Sequence, residues 1–360
     1  MSGITKRLCL QQTERRDIFM KLSIIVPVFN MAADNKLKYC MDSLVGQSLD
    51  DYEIIAIDDA SQDESPEILR EYERSWPGKV KVIVLPTNHH QGGAKNAGLD
   101  VASGEFIGFM DSDDWADKDM YKLMYEKAIE TGADVVGCDY SKVYEHTMKP
   151  GDIYNNEAFE ISGTLTEDDR RKLIPDPGHL VMRIYRREIF EKPKLRFPDR
   201  LFYEDNAVGT EIMMRTKVFA KVSKPLYFYY QHQDSTVHKI SLSKCEDRTK
   251  AMGIFLDYAK NGGYLEKYRK EIEYRYTELF YINTMFSLMQ DRTKGAYGFI
   301  KRLGREMKAQ FPNFLSNEYL NARRNSEEIK LMKMQIQSNA LFFIYYRLLW
   351  TYRRIRYKGK

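Results

Sequence analysis

Three carboxylates fall within four residues at Asp111, Asp113 and Asp114, inside the stretch Gly104–Asp119. Charges of one sign held so close repel one another unless a cation sits among them. A hard divalent ion, Mg²⁺ or Mn²⁺, takes oxygen ligands from one or two carboxylates and fills its shell with water or substrate phosphates. Taken alone, the same residues also suit a solvated acidic turn ahead of a helix starting near Lys118. The elements around them decide between these readings.

The apolar run Phe106–Met110, preceded by Gly104 and stopped by Asp111, reads as a buried strand. Similar runs at Leu22–Val28, Tyr52–Ile57, Val80–Leu85 and Asp134–Cys138 predict further strands. Helical spacing at Leu37–Val45, Ala94–Val101 and Met120–Ile129 places helices between them. Asp63 is a candidate N-cap for another helix, with Pro66 in its first turn. Strands alternating with helices predict an α/β protein with a doubly wound, mostly parallel sheet. Right-handed crossovers would gather Pro27–Asn30, Asp58–Asp59 and Asp111–Asp114 at one sheet edge, where such folds bind ligands. Neither a Gly-x-Gly-x-x-Gly after the first strand nor a Walker loop is present, so a metal would have to balance bound phosphate. Further on, Leu201–Asn206 leads into a helix reaching Met214, and Val218–Val222 and Leu226–Tyr230 read as two strands. Beyond Ser241 the pattern is helical.

At 360 residues, 43% hydrophobic and 30% charged, the chain has the composition of a globular protein. A net charge of +4 over this length does not suit nucleic acid as a partner. Cys9, Cys40, Cys138 and Cys245 are widely spaced, without metal-type pairing; Cys40 and Cys138 fall in apolar patterns and read as buried thiols, which suits a reducing cytosol. Residues 1–20 lack the apolar core of a signal peptide and read as an N-terminal extension. The expected organisation is that extension, an α/β domain over 21–240, and a helical C-terminal region over 241–360.

Five segments together carry a resemblance. Ser23-Ile-Ile-Val-Pro-Val-Phe-Asn30, Glu53–Asp63, Gly92-Gly-Ala-Lys-Asn-Ala-Gly-Leu99, Met110-Asp-Ser-Asp-Asp-Trp115 and Tyr203-Glu-Asp205 resemble, in order, the motifs of family 2 glycosyltransferases. The similarity covers roughly residues 21–240. It implies a GT-A fold, a nucleotide-sugar donor with UDP favoured, and transfer with inversion at the anomeric carbon. The acceptor would be a hydroxyl of a glycan or lipid-linked molecule in surface-polysaccharide synthesis. The resemblance also implies roles. Asp113 would bind the metal, with Asp111 near the ribose or a metal-bound water and Ser112 in the same donor-binding turn. Pro27 and Asn30 would border the donor, and Asp59 would accept the base N–H. Lys95 stands where many relatives carry Arg, supplying a point charge rather than a planar fork. Inversion needs a base opposite the leaving group; Asp205 matches it. Glu204 beside it would raise the Asp205 pKa as a like charge or contact the acceptor. His232, in Tyr230–Ser235, would reach the metal or diphosphate.

Two other readings stay open. A nucleotidyltransferase also uses acids and a metal on an α/β sheet, but it would want a Gly-rich basic loop where Val26-Pro-Val-Phe-Asn30 stands. A non-catalytic nucleotide-sugar-binding protein could retain the fold. At the end of the chain, Leu341–Lys360 has too few apolar residues to span a membrane. Drawn as a helix, Leu341, Ile344, Leu348, Tyr352 and Ile355 share one face, with basic residues around the remainder. That pattern suits an anionic membrane surface or contact with protein, including a second copy of the chain. The expected location is the cytoplasm, peripherally at the inner face of the cell membrane.

Overall fold

The structure, a computed structural model, describes residues 20–157, 161–231, 240–290 and 293–356. The expected N-terminal extension up to residue 19, His232 and residues 357–360 lie outside that range.

Strand β1 (Leu22–Val28) is buried along its whole length. Leu22, Ile24, Val26 and Val28 enter one apolar cluster while Ile25 enters another, so both faces of the strand are covered. A strand covered on both faces needs a continuous apolar run, which is why no polar alternation marks it. Helix α1 (Lys36–Val45), β2 (Tyr52–Asp58), α2 (Ser65–Ser75), β3 (Val80–Val84), α3 (His90–Val101) and β4 (Phe106–Phe109) follow. These first strands lie parallel in the order β3-β2-β1-β4.

Next come β5 (Trp115–Ala116), α4 (Met120–Thr131), β6 (Val135–Val143), β7 (Asp152–Tyr154), β8 (Gly163–Thr164) and α5 (Glu167–Leu173). They lead to β9 (Arg183–Arg186), α6 (Glu188–Glu191), α7 (Glu204–Arg215) and β10 (Val218–Tyr230). The sheet continues past β4 as β9-β6-β10-β5. The expected doubly wound α/β sheet is present. Its long pairings are parallel, and short antiparallel additions at β5, β7, β8 and β9 extend it.

Local differences from the sequence expectation have physical causes. The two strands expected at Val218–Val222 and Leu226–Tyr230 are one, β10, whose pairing with β6 shifts register on either side of Pro225. Proline has no N–H to give the ladder, so the ladder breaks there while the strand runs on. Helix α2 starts at Ser65, and Asp63 precedes it as a tie rather than as its N-cap. Asp63 Oδ1 accepts the Ser65 N–H at 2.9 Å and Oδ2 the Ala32 N–H at 2.9 Å, joining the loops after β1 and β2.

Beyond β10 the described residues are mostly helical: α8 (Leu242–Asn261), α9 (Tyr264–Lys267), α10 (Arg269–Tyr276), α11 (Thr284–Gln290), α12 (Ala296–Gln310), α13 (Glu318–Arg323), α14 (Ser326–Gln337) and α15 (Asn339–Arg356). These helices share their own apolar core, built on residues such as Phe255, Tyr281, Ile300 and Met332. Among the described residues no helix is long and apolar enough to cross a membrane.

Candidate active site

The β1 register sets Val28 beside Asp58 and Ile25 beside Phe109, so the segments after β1, β2 and β4 leave the sheet at one edge. Pro27 pairs with Ile57 in the last turn of the ladder before that edge. Asn30 has a left-handed backbone at φ 53°. Its Oδ1 accepts the Gln62 N–H at 2.8 Å, and its own N–H goes to Ser61 Oγ at 3.0 Å. The Asn30 side chain therefore shapes the loop after β2.

In that loop Asp59 is almost wholly buried, and its Oδ1 accepts the His89 N–H at 2.7 Å. Burial pushes the Asp59 carboxyl above its ordinary range, against the lowering effect of the His89 N–H and the His89 and His90 rings. Its neighbour Asp58 is 1% exposed, and Asp58 Oδ1 has no hydrogen-bond partner among the described residues. A buried carboxylate oxygen left without a donor is costly. The sequence places Asp58 at the ligand-binding edge of the sheet but assigns it no role of its own.

Gly92 and Gly93 fall in the first turns of α3 rather than in a loop before it. A Cβ at Gly92 would lie 2.1 Å from the Pro198 carbonyl oxygen, and one at Gly93 would lie 2.4 Å from Asp199 Oδ1. The two glycines thus let α3 press against the segment leading to α7. His89 Nδ1 and Asp199 Oδ1, 2.8 Å apart, hold the same contact from the helix start. One turn on, buried Lys95 donates to Glu204 Oε1 at 2.5 Å and to Gln91 Oε1 at 3.0 Å. Burial opposes the Lys95 charge, yet Glu204 and Asp111 hold it protonated above its ordinary value.

After β4 the three acids part in role. Asp114 is buried; its Oδ2 accepts the Tyr227 O–H at 2.6 Å and its Oδ1 the Tyr230 N–H at 2.8 Å. It anchors β10 to the acidic turn. Ser112 is buried within the turn. Burial pushes Asp111 up to about 7; Lys95 opposes the rise, while Asp113, Glu204 and Asp205 add to it.

Helix α7 begins at Glu204, after Tyr203 in a left-handed conformation at φ 65°. Arg248 from α8 holds Tyr203 there, its guanidinium 4.3 Å from the ring centre and donating to the hydroxyl at 2.7 Å. Glu204 is buried against Lys95, which takes up the carboxylate expected to serve Asp205 or the acceptor. Asp205 is exposed, and its Oδ1 accepts the Asn206 N–H at 2.8 Å. Asn206 Oδ1 in turn accepts from Arg275 of α10 at 3.0 Å, so the helical region reaches the site. Arg248, Arg275 and Tyr227 belong to no motif and carry no sequence signal of these contacts.

Lys95, Asp111, Asp113, Glu204 and Asp205, from α3, the turn after β4 and α7, thus share one electrostatic neighbourhood. Asp58 and Asp59 stand at the adjacent strand end. Among the described residues no group of three or more His, Cys, Asp or Glu side chains could hold a metal by itself. A site of one or two carboxylates, with Asp111 buried beside Asp113, fits a hard ion that keeps water or phosphate in the rest of its shell.

Residues 23–192 match the family described as Glycosyl transferase family 2. The putative glycosyltransferase EpsH of Bacillus subtilis (strain 168) is 30% identical over 261 residues, covering 70% of this chain and 73% of that protein. The minor teichoic acid biosynthesis protein GgaA of the same organism is 28% identical over 229 residues, covering 62% of this chain and half (50%) of that protein. Among solved structures, S. aureus TarS 1–349 in complex with UDP-GlcNAc superposes with a TM-score of 0.58 at 20% identity, covering 88% of this chain and 92% of that one. At that identity the likeness establishes the fold.

Proposed function

The chain belongs to glycosyl transferase family 2 and is a glycosyltransferase; from that premise we propose that it moves a sugar from a UDP-sugar to a glycan hydroxyl, with inversion. Support for UDP comes from the TarS complex, which holds UDP-GlcNAc. Support for a surface-polysaccharide or teichoic-acid acceptor comes from GgaA, named for teichoic acid biosynthesis. Family membership removes the nucleotidyltransferase and non-catalytic readings. The observation that carries the proposal is the gathering of Asp111, Asp113, Glu204 and Asp205 around buried Lys95 at the strand ends, where burial first, and the neighbouring acids after it, push Asp111 up to about 7 against the pull of Lys95.

The donor base lies at the end of β2. Ionised Asp59 accepts its N–H. Pro27, Asn30 and Ser112 shape the walls around the donor. Asp111 and Asp113 are the residues that would hold Mg²⁺ or Mn²⁺. Such an ion, when bound, supplies Lewis-acid stabilisation of the charge on the departing diphosphate. Lys95 stays locked to Glu204 and fixes α7 relative to α3, so that Asp205 keeps its place. Asp205 takes the proton from the acceptor hydroxyl as that oxygen attacks the anomeric carbon. The new glycosidic bond forms as the bond to the diphosphate oxygen breaks, and the diphosphate leaves with the electron pair. A single displacement inverts the anomeric centre.

Calorimetry against UDP-, GDP- and dTDP-sugars, with and without Mn²⁺, followed by mass spectrometry of acceptor products, tests this reading. Metal-dependent binding of one UDP-sugar, weakened by Asp113→Ala, is the expected result. A folded protein that binds none of the donors overturns it.

A further inference from the structure

Helix α15 has two apolar faces. Phe342, Phe343 and Tyr346 are buried in the helical core. Leu341, Ile344, Leu348, Tyr352 and Ile355, recurring every three or four positions, are 55%, 60%, 66%, 56% and 74% exposed. Such a continuous apolar stripe turned to water is uncommon and marks an interaction site. Tyr297, at the start of α12 and 46% exposed, extends the stripe, with its ring 5.0 Å from that of Phe343. Beside it runs a groove of about 500 Å³ between α12 and α15, with exposed Lys294 on one wall and exposed Arg347 on the other.

Charge selects the occupant. From residue 341 to 360 the sequence carries Arg347, Arg353, Arg354, Arg356, Lys358 and Lys360 and no acid. A second copy seated on this face would set one stripe flanked by cations against another, like charge facing like. A planar anionic surface meets both features at once: it takes the apolar stripe into its headgroup boundary and neutralises the flanking cations. We infer that the outer face of α15, with the adjoining groove, docks the protein on an anionic lipid bilayer. Ile344 and Leu348 enter the boundary, and Lys294 and Arg347 meet lipid phosphates. The inference is independent of the transfer reaction.

The test is flotation of the full-length protein with phosphatidylcholine vesicles, with and without phosphatidylglycerol, at low and high salt. Wild type should float with the anionic vesicles only, and salt should weaken it. Ile344→Glu/Leu348→Glu and Lys294→Glu/Arg347→Glu should each lower vesicle affinity about tenfold or more while thermal midpoints stay unchanged, since all four residues are exposed. Wild type that ignores anionic vesicles, or variants that float equally well, overturn the inference. So does a lipid-free oligomer, seen by analytical ultracentrifugation, that Ile344→Glu/Leu348→Glu breaks into monomers: the face would then be a contact between copies.

Discussion

Lys95 Nζ lies 2.5 Å from Glu204 Oε1, and this buried pair joins the helix of Gly92 and Gly93 to the helix of Asp205. Removing one member leaves the other charge buried without its partner, a loss of about 3–5 kcal/mol in comparable pairs. Lys95→Met should therefore lower the denaturation midpoint strongly, and Lys95→Met/Glu204→Met should recover most of the loss, because two apolar side chains replace the pair. A single variant as stable as wild type would show that the pair holds nothing.

Asp205 is exposed at the start of α7, and an asparagine there could still accept the Asn206 N–H. Asp205→Asn should fold normally and bind donor as wild type does in calorimetry. Without a carboxylate to take the acceptor proton, kcat should fall roughly 10²–10⁴-fold. Turnover near the wild-type rate would remove Asp205 from the base role.

Asp59 sets a pH dependence whose sign follows from its burial. Burial raises its pKa, with the His89 N–H and the His89 and His90 rings opposing. Only the ionised carboxylate accepts the base N–H without a competing proton, so donor affinity should be full above the raised pKa and fall as pH drops through it. For stability the sign reverses: the fold favours protonated Asp59, so ionisation destabilises the folded state as pH rises through that value. Donor dissociation constants measured across the acidic range should slope for wild type and flatten for Asp59→Asn. An unchanged slope in the variant would place the titration elsewhere.

The sheet was legible because β1, β2 and β4 are covered on both faces, and only continuous apolar runs suit that position. The acids at the strand ends followed, since topology alone brings those ends together. What stayed hidden has no local signature. Lys95 and Glu204 are 109 residues apart, and their spacing carries no trace of a bond. Asp58 and Asp59 are neighbours on an extended chain and so point to opposite sides; the sequence does not say which one a ligand meets. Two glycines weaken the helical signal of the first turns of α3, so helical spacing marks the helix only from Ala94, four residues after it starts. In α15 the stripe of Leu341, Ile344, Leu348, Tyr352 and Ile355 was readable, but whether protein covers it was not, since the same helix buries Phe342 and Tyr346 equally well.

The glycines of α3 give a sharp steric prediction. An alanine Cβ at Gly92 would meet the Pro198 carbonyl oxygen at 2.1 Å and Glu204 Cβ at 3.3 Å, so the segment before α7 would have to move. Gly92→Ala should cost about 1–3 kcal/mol and impair transfer by displacing Glu204 and Asp205 together. Gly298→Ala, in α12, is the control: its Cβ meets nothing within 4 Å, so it should leave transfer intact and gain a few tenths to about 1 kcal/mol of helix stability. Equal behaviour of the two variants in melting and transfer assays would contradict the close approach of α3 to Pro198.

Asp113 and Asp114 are adjacent, yet the structure predicts opposite losses. Both oxygens of Asp114 are taken up within the fold, by the Tyr227 O–H and the Tyr230 N–H. Asp114→Ala should strand a fully buried Tyr227 hydroxyl, cost about 1–3 kcal/mol, and loosen β10 from the acidic turn. Asp113 lies close enough to Asp111 to raise it, which is where a divalent ion would relieve the crowding. Asp113→Ala should therefore change the melting temperature less than Asp114→Ala does, while abolishing the gain in donor affinity on adding Mn²⁺. Chelation of wild type by EDTA should reproduce the binding defect without the thermal one. If instead Asp113→Ala melts like Asp114→Ala and its donor binding still responds to Mn²⁺, the acidic turn is a structural cap, and the ion, if one is needed, is held elsewhere.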